Sequence, residues 1–281
     1  MSSSVADRLA PFGTTIFAEM TRLAAEHRAI NLSQGFPDFD GPEFVRHAAQ
    51  RAIDAGHNQY ARPGGEPVLV EALADDFSAR TGVSCDPMRE VTVTGGCTGA
   101  IAASMLGLIN PGDEVVLFEP YYDCYRACVA LAGGTPRFVA MRPRDGRFTF
   151  DEHELRAAFG PRTRAVLLNT PHNPTGTVLD RGELSAVAAL AREHDAFVVA
   201  DEVYEHLVFE GEHVSIASLP GMAERTLTLS SLGKTFSLTG WKIGWAIGPE
   251  HLTAGVRSAQ QFLAFSVSTP MQHAAAEAIR R

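Results

Sequence analysis

The sequence lacks the features that mark membrane, secreted and nucleic-acid-binding proteins. No apolar run among its 281 residues approaches the roughly 20 residues that a membrane-spanning helix needs. The first residues, MSSSVADRLAPFG, do not follow the charged and then apolar pattern of a secretory signal peptide. The formal net charge of −9 gives no electrostatic reason to expect binding to nucleic acid or to a membrane. A cytoplasmic location is therefore expected.

Cysteine is also scarce. The four cysteines, Cys85, Cys97, Cys124 and Cys128, show no CxxC spacing of the kind that binds zinc. In a chain of this length they are expected to be reduced thiols that are mostly buried. We predict no bound metal.

Short apolar segments alternate with longer helical patterns along most of the chain. Apolar spacing and turn signals predict helices over 15–27, 42–55 and 67–80, and Asp151 with Glu154 is typical of a capping box. The apolar segments predicted as strands are 91–94, 115–118, 165–168, 197–200 and 227–229. Strands that alternate with helices predict an α/β fold of three layers, α/β/α, with a mainly parallel sheet.

Ligands of such folds bind beyond the carboxyl ends of the strands, so polar residues there are candidates for a site. Lys234 follows a predicted strand and lies within SSLGKTFSLTGWKIGW, among small and apolar residues. Most lysines are solvated surface charges, but desolvation lowers the pKa of an amine and favours its nucleophilic neutral form. Lys234 is therefore a candidate for imine formation with an aldehyde.

Two further strand ends carry residues suited to the same ligand. Asp201 closes the apolar run AFVVAD, where a carboxylate is either a cap or a buried charge that needs a partner. The ring nitrogen of pyridoxal 5′-phosphate (PLP) is such a partner, because a carboxylate keeps it protonated. Tyr204 follows one turn later. Asn173, in NTPHNPTG, is either a turn former or a donor to the phenolate oxygen of that ligand.

The segment VTVTGGCTGA, 91–100, predicts a strand, a glycine turn and a helix. It matches neither the P-loop nor the GxGxxG pattern, so nucleotide binding is not indicated. The start of such a helix still offers free N–H groups to a phosphate, and Ser231 and Lys242 could complete that pocket. Tyr121 and Tyr122 follow another strand and are either packing residues or a ring against a planar ligand.

Together these motifs are specific. Asn in NPTG, Asp three residues before Tyr in ADEVY, and SxGK with a basic residue eight positions later resemble the fold-type I, PLP-dependent class I and II aminotransferases. The resemblance covers essentially the whole chain. The segments NLSQGFPDF, NQYARPGG, EPYYDCY and FSVSTPMQ are most similar to the branch that holds kynurenine aminotransferase, glutamine transaminase K and bacterial methionine aminotransferase.

The resemblance implies a role for each matching residue. Lys234 would hold PLP as a Schiff base and carry a proton to and from the substrate Cα, with Asp201 at the ring nitrogen and Asn173 and Tyr204 at the ring oxygen. The other implied cofactor contacts are Tyr122 on the ring face, Gly96, Cys97, Thr98, Ser231 and Lys242 at the phosphate, and Tyr60 at the phosphate of the neighbouring subunit of a homodimer. Gly35, Phe17 and Asn173 would line the substrate side.

The resemblance also implies a domain organisation. Residues 1–40 would form an N-terminal arm and substrate-side segment, and residues 41–268 the large PLP-binding domain. Residues 269–281 would begin the helix that leads to a C-terminal small domain, which is expected to be missing from this chain. That domain carries the arginine that grips the substrate α-carboxylate in the family, and no residue present matches it by motif.

The implied activity is transfer of an amino group from an L-amino acid to a 2-oxo acid. Phe17, Phe36, Tyr60 and Tyr122 favour a substrate with a neutral, sulfur-containing or aromatic side chain. One alternative keeps the same site and is a cysteine-conjugate C–S β-lyase. Another is a non-catalytic PLP-binding regulatory domain, although the basic DNA-binding segment of such regulators is not seen here.

Overall fold

A computed structural model describes residues 5–33 and 37–281. In this part of the chain the α-helices are α1 (Ile16–His27), α2 (Glu43–Asp54), α3 (Pro67–Thr81), α4 (Gly96–Leu108), α5 (Cys124–Leu131), α6 (Glu152–Ala158), α7 (Arg181–Glu193), α8 (Leu232–Thr235), α9 (Glu250–Leu263) and α10 (Thr269–Ile279). The strands are β1 (Val91–Thr94), β2 (Glu114–Glu119), β3 (Thr135–Arg144), β4 (Arg147–Phe150), β5 (Thr163–Asn169), β6 (Phe197–Asp201), β7 (Thr226–Ser231) and β8 (Gly244–Ile247).

The strands of the described chain form one sheet in the order β1-β8-β7-β6-β5-β2-β3-β4. Strands β3, β2, β5, β6 and β7 pair in parallel, whereas β8 is antiparallel to β7 and to β1, and β4 is antiparallel to β3. Strand β1 therefore points the same way as the parallel strands. The predicted, mainly parallel α/β sheet is confirmed.

Both faces of this sheet are covered, because alternate residues of a strand point to opposite faces. In β5, Val166 and Leu168 pack into a core with α6 and α7, whereas Ala165 and Leu167 pack into a core with α4, α5 and α9. A third core joins α2, α3 and α10 to β1 and β8. Each leucine buried in this way stabilises the fold by about 1.5–3 kcal/mol.

The predicted helices and strands lie where expected, with ends that move by one or two residues. Strands β3, β4 and β8 were not predicted. Most of β3 is exposed or half-buried, and β4 has only four residues, so neither forms a continuous apolar run. Strand β8, although fully buried, is a four-residue segment that begins with glycine.

The capping box predicted at Asp151 is only half present. The Asp151 carboxylate accepts hydrogen bonds from the N–H groups of His153 and Glu154 and starts α6. The Glu154 carboxylate, however, pairs with Arg142 of β3 at 2.8 Å. The reciprocal pair of a capping box is formed instead by Asp180 and Glu183 at the start of α7.

None of the described helices is both long and apolar enough to cross a membrane.

Candidate active site

The carboxyl ends of β1, β5, β6 and β7 meet at one edge of the sheet and surround a cavity of about 370 Å³. The predicted site residues that line it are Phe17, Gly96, Cys97, Thr98, Tyr122, Asn173, Asp201, Tyr204, Ser231, Lys234 and Lys242. These residues come from segments more than 200 positions apart in the sequence. The sheet topology therefore brings together most of the set that the motifs predicted.

Lys234 lies in the short helix α8, directly after β7, and its side chain is half-buried. Burial lowers the pKa of its amine, and the positive charge of Lys242 lowers it further. Its Nζ lies 5.6 Å from the centre of the Tyr204 ring. A lowered pKa raises the neutral fraction of the amine near pH 7, which is the form that attacks a carbonyl.

Asp201 ends β6 and is 3% exposed. Its Oδ2 accepts a hydrogen bond from the Tyr125 hydroxyl at 2.7 Å, and its Oδ1 accepts from Cys97 Sγ and from the Val203 N–H, each at 3.2 Å. Burial raises the pKa of Asp201, and these donors oppose the rise. Asp201 is thus a buried carboxylate whose orientation is fixed. The hydrogen bond that it accepts from the Val203 N–H also caps the turn after β6, so both roles considered for Asp201 from the sequence are compatible with the structure.

Asn173 and Tyr204 also line the cavity. The loop of Asn173 is tied to the sheet by Asn169, whose Nδ2 donates to the Asp201 carbonyl at 2.8 Å and whose Oδ1 accepts from the Asn173 N–H at 2.7 Å. Burial raises the pKa of Tyr204 to about 12, so its hydroxyl stays protonated at neutral pH. Both side chains can therefore donate a hydrogen bond to a ligand oxygen.

The start of α4 also lines the cavity. Gly96 has a φ of 76°, and a Cβ placed there would lie 2.9 Å from Lys242 Nζ. Only glycine adopts this backbone without strain and leaves room for the ammonium group above it. Free N–H groups at a helix start and a nearby ammonium group bind phosphate. Ser231, at the end of β7, lies beside them.

Aromatic rings close one side. The Tyr122 hydroxyl lies 3.4 Å from Thr98 Oγ1, and its ring is 6.3 Å from that of Phe17, centre to centre. Burial raises the pKa of Tyr122. Aromatic rings, a buried carboxylate and a phosphate-binding start of a helix that line one cavity fit the chemical groups of PLP.

Two predicted site residues, Tyr60 and Gly35, are not among those that line this cavity. Tyr60 is 84% exposed and packs edge-on against Phe265, with ring centres 5.2 Å apart. It borders a separate surface groove with residues 266–270. Gly35, and Phe36 beside it, lie outside the described residues.

The sequence interpretation missed several lining residues. They are Ser33, Ile101, Tyr125, Val203, Gly233, Thr239 and Ile243. One signal was available: Tyr125 stands three positions after Tyr122, a spacing that brings side chains to the same side of a turn.

Comparison with known proteins agrees with this geometry. The sequence pattern of the aminotransferase class I and II family matches residues 27–281. A Mycobacterium tuberculosis protein named "Probable N-succinyldiaminopimelate aminotransferase DapC" is 52% identical over 274 residues, which are 97% of this chain and 69% of that protein. Mouse kynurenine–oxoglutarate transaminase 3 is 44% identical over 283 residues, covering 97% of this chain and 62% of that protein.

A solved structure extends the match to three dimensions. The crystal structure of YbdL from Escherichia coli, whose reactivity identified a methionine aminotransferase function, superposes with a TM-score of 0.94 at 42% identity. The superposition covers 98% of this chain and 72% of YbdL.

Proposed function

The chain belongs to the PLP-dependent class I and II aminotransferases, and from that premise we propose that it transfers an amino group from an L-amino acid with a neutral, sulfur-containing or aromatic side chain to a 2-oxo acid. The observation that carries the proposal is the position of Lys234. Its half-buried amine, with a lowered pKa, lies in one cavity with a buried carboxylate and a phosphate-binding start of a helix.

The residues present would hold PLP at both ends. Lys234 would bind its aldehyde carbon, and Asp201 would accept a hydrogen bond from its ring nitrogen. Gly96, Cys97 and Thr98, together with Ser231 and Lys242, would bind its phosphate. When bound, PLP acts as an electron sink that stabilises negative charge at the substrate Cα.

The chain's own residues supply the proton transfers and the orientation. Lys234 would take a proton from the substrate Cα and return it during transfer to the 2-oxo acid. Tyr204 and Asn173 would donate to the ring oxygen. Tyr122 would pack against the ring face, and with Asp201 these contacts would fix the orientation of the ring.

The preference for neutral or aromatic side chains rests on Phe17 and Tyr122, which both line the cavity and whose rings lie 6.3 Å apart, centre to centre, with planes at 55°. Among the described lining residues the cations are Lys234 and Lys242, which are assigned to PLP. The names of the similar proteins include kynurenine, methionine and N-succinyldiaminopimelate, the last of which carries additional carboxylates. The two aromatic rings favour the first two types of donor.

We also propose that the chain acts as a cytoplasmic homodimer in which Tyr60 reaches the phosphate of the neighbouring site, and that residues 41–268 form the PLP-binding domain. The support is an exposed aromatic pair: Tyr60 is 84% exposed and packs against Phe265, which is 46% exposed. Exposed aromatic residues that cluster on a surface are typical of an interface. The four cysteines, all within the described residues, are free thiols, as expected in a reducing compartment.

Sedimentation velocity tests the assembly. We expect the holoenzyme to sediment as a dimer at all protein concentrations. We also expect Tyr60→Ala to bind PLP more weakly than the unmodified chain. A monomeric holoenzyme that binds PLP equally well with or without the Tyr60 ring would contradict the role of this residue.

The activity is tested by incubating the PLP-loaded chain with methionine, glutamine or kynurenine and a 2-oxo acid, and by measuring the new amino acid. Product should depend on the 2-oxo acid and be absent with Lys234→Ala. Pyruvate or ammonia released from cysteine conjugates without a 2-oxo acid would indicate the C–S lyase instead. PLP binding without turnover of any donor would contradict the proposed transfer.

A further inference from the structure

Both oxygens of the Asp201 carboxylate are held by donors from other parts of the fold. Oδ2 accepts from the Tyr125 hydroxyl, which α5 supplies, and Oδ1 accepts from the thiol of Cys97, which α4 supplies. The backbone N–H of Val203 is a second donor to Oδ1. Hydrogen bonds to an ionised acceptor are stronger than those between neutral groups. The orientation of this carboxylate is therefore set by two helices.

Tyr125 is suited to this contact. It is 3% exposed, and a buried tyrosine hydroxyl needs a hydrogen-bond partner. Burial and the nearby Asp201 charge raise the pKa of the Tyr125 hydroxyl and of the Cys97 thiol, so both keep their protons and act as donors. The contact leaves lone pairs of the carboxylate available to the cavity, because a carboxylate accepts up to about four hydrogen bonds.

The turn that leads into α5 also carries Tyr122, whose carbonyl accepts a hydrogen bond from the Tyr125 N–H at 3.0 Å. The Tyr122 ring packs edge-on against that of Tyr125, with centres 5.7 Å apart and planes at 88°. A shift of α5 would therefore move the Tyr122 ring and the anchor of Asp201 together. This arrangement links the face of the cofactor site to its nitrogen end.

We propose that Tyr125 and Cys97 are positioning residues, which hold Asp201 ionised and aimed at the ring nitrogen of PLP. The proposal rests on the role assigned above to Asp201. It concerns cofactor binding, and it is tested by cofactor affinity rather than by amino transfer. Loss of the Tyr125 donor would leave a buried charge less well compensated, and PLP would bind to a carboxylate that is both misaligned and more readily protonated.

The first test compares Tyr125→Phe with Tyr121→Phe. Each removes one hydroxyl from neighbouring tyrosines, but the Tyr121 ring stacks on Phe138 and does not line the cavity. The Kd for PLP, measured by quenching of tryptophan fluorescence, should rise roughly tenfold in Tyr125→Phe, the scale of one hydrogen bond to a charged group. It should stay within about twofold in Tyr121→Phe. Equal Kd values would overturn the proposal for Tyr125.

A double-mutant cycle separates positioning from a general structural effect. In the Asp201→Asn background the acceptor charge is gone, so Tyr125→Phe should change the Kd for PLP by less than about twofold. An equally large change in both backgrounds would mean that Tyr125 acts through packing and not through Asp201. The far-ultraviolet circular dichroism of each variant verifies that it is folded.

Cys97 offers a conservative rescue that does not depend on Tyr125. Cys97→Ala removes the donor, whereas Cys97→Ser keeps a donor of similar size and leaves the backbone N–H in place. We expect weaker PLP binding in the alanine variant and near-normal binding in the serine variant. Equal binding by both would exclude a role for the thiol. A chain that binds PLP as described but does not transfer amino groups would contradict the proposed function and leave this inference intact.

Discussion

At the scale of single residues, Lys234 carries the central expectation. Reduction with borohydride should fix one pyridoxyl group to the protein, and peptide mapping should find it at Lys234. The chain has only two lysines, so the label has one competing position, Lys242. Burial and the charge of Lys242 lower the pKa of Lys234, so at neutral pH it has the larger tendency to attack the aldehyde.

Two variants verify this assignment. Lys234→Arg should abolish the label, because a guanidinium group does not form an imine at neutral pH. Lys242→Arg should keep it, with weaker PLP binding because the phosphate contact is altered. A label found on Lys242 in the unmodified chain would show that the two lysines have exchanged roles.

Asp201 is the second residue with a direct test. Asp201→Asn keeps the shape and removes the charge that is proposed to keep the ring nitrogen protonated. We expect that PLP still binds, that the visible absorption of the Schiff base remains, and that kcat falls roughly 100- to 1000-fold, as for loss of one preorganised group. Turnover near that of the unmodified chain would mean that Asp201 serves only as the local cap of the turn after β6.

At the scale of secondary-structure elements, the turn between β1 and α4 is proposed to bind the phosphate. Gly96→Ala forces an L-residue into a positive φ, which costs about 1–2 kcal/mol, and pushes its methyl group into Lys242 Nζ. Gly95→Ala is the matched control, because its φ is −72° and a Cβ there meets nothing within 4 Å.

The expected result is a Kd for PLP raised roughly tenfold in Gly96→Ala, since the ammonium group is displaced from the phosphate. Gly95→Ala should leave the Kd nearly unchanged. Isothermal titration of both variants with PLP measures the difference, and inorganic phosphate serves as a second ligand for the same end of the cavity. Similar Kd values for the two variants would mean that Lys242 does not bind the phosphate.

The elements also show why only part of the site could be predicted from the sequence. Asp201, Asn173 and Lys234 each follow a strand or lie in a local motif, so their positions can be inferred from local pattern. Tyr125 acts on Asp201 across 76 positions, and this contact depends on how α5 packs against the sheet. Strand β3 was missed for a different reason: it lies second from the edge of the sheet, most of its residues are exposed or half-buried, and they form no continuous apolar run.

At the scale of the whole molecule, a buried charge network joins the segment after Asp201 to α3 and β7. Glu205 accepts a hydrogen bond from Ser230 of β7 at 2.8 Å and pairs with Arg80 of α3 at 3.0 Å. Glu202 pairs with His213 at 3.1 Å. Burial raises the pKa of Glu205 to about 7, although Arg80 opposes the rise. Burial lowers the pKa of His213, but the Glu202 carboxylate outweighs it and leaves that pKa raised.

This network makes stability depend on pH with a definite sign. The folded pKa of Glu205 lies above its unfolded value of 4.5, so the folded chain binds a proton more readily between these values. The resulting stabilisation is fully present below about pH 4.5 and is lost as the pH rises through about 7. From pH 5 to pH 8 this single group should remove roughly 2 kcal/mol from the free energy of unfolding. His213 acts in the same direction at the upper end of that range.

Glu205→Gln isolates this contribution, because the amide mimics the protonated carboxyl and still accepts from Ser230 and Arg80. The variant should be more stable than the unmodified chain at pH 8 and similar to it at pH 5. Glu210→Gln, at an exposed position of the same segment, is the control and should follow the unmodified chain at both values. Urea unfolding of all three proteins at the two pH values measures these differences. If Glu205→Gln loses stability in parallel with the unmodified chain, the proton is held elsewhere in the network, and His213→Gln becomes the variant that must remove the dependence.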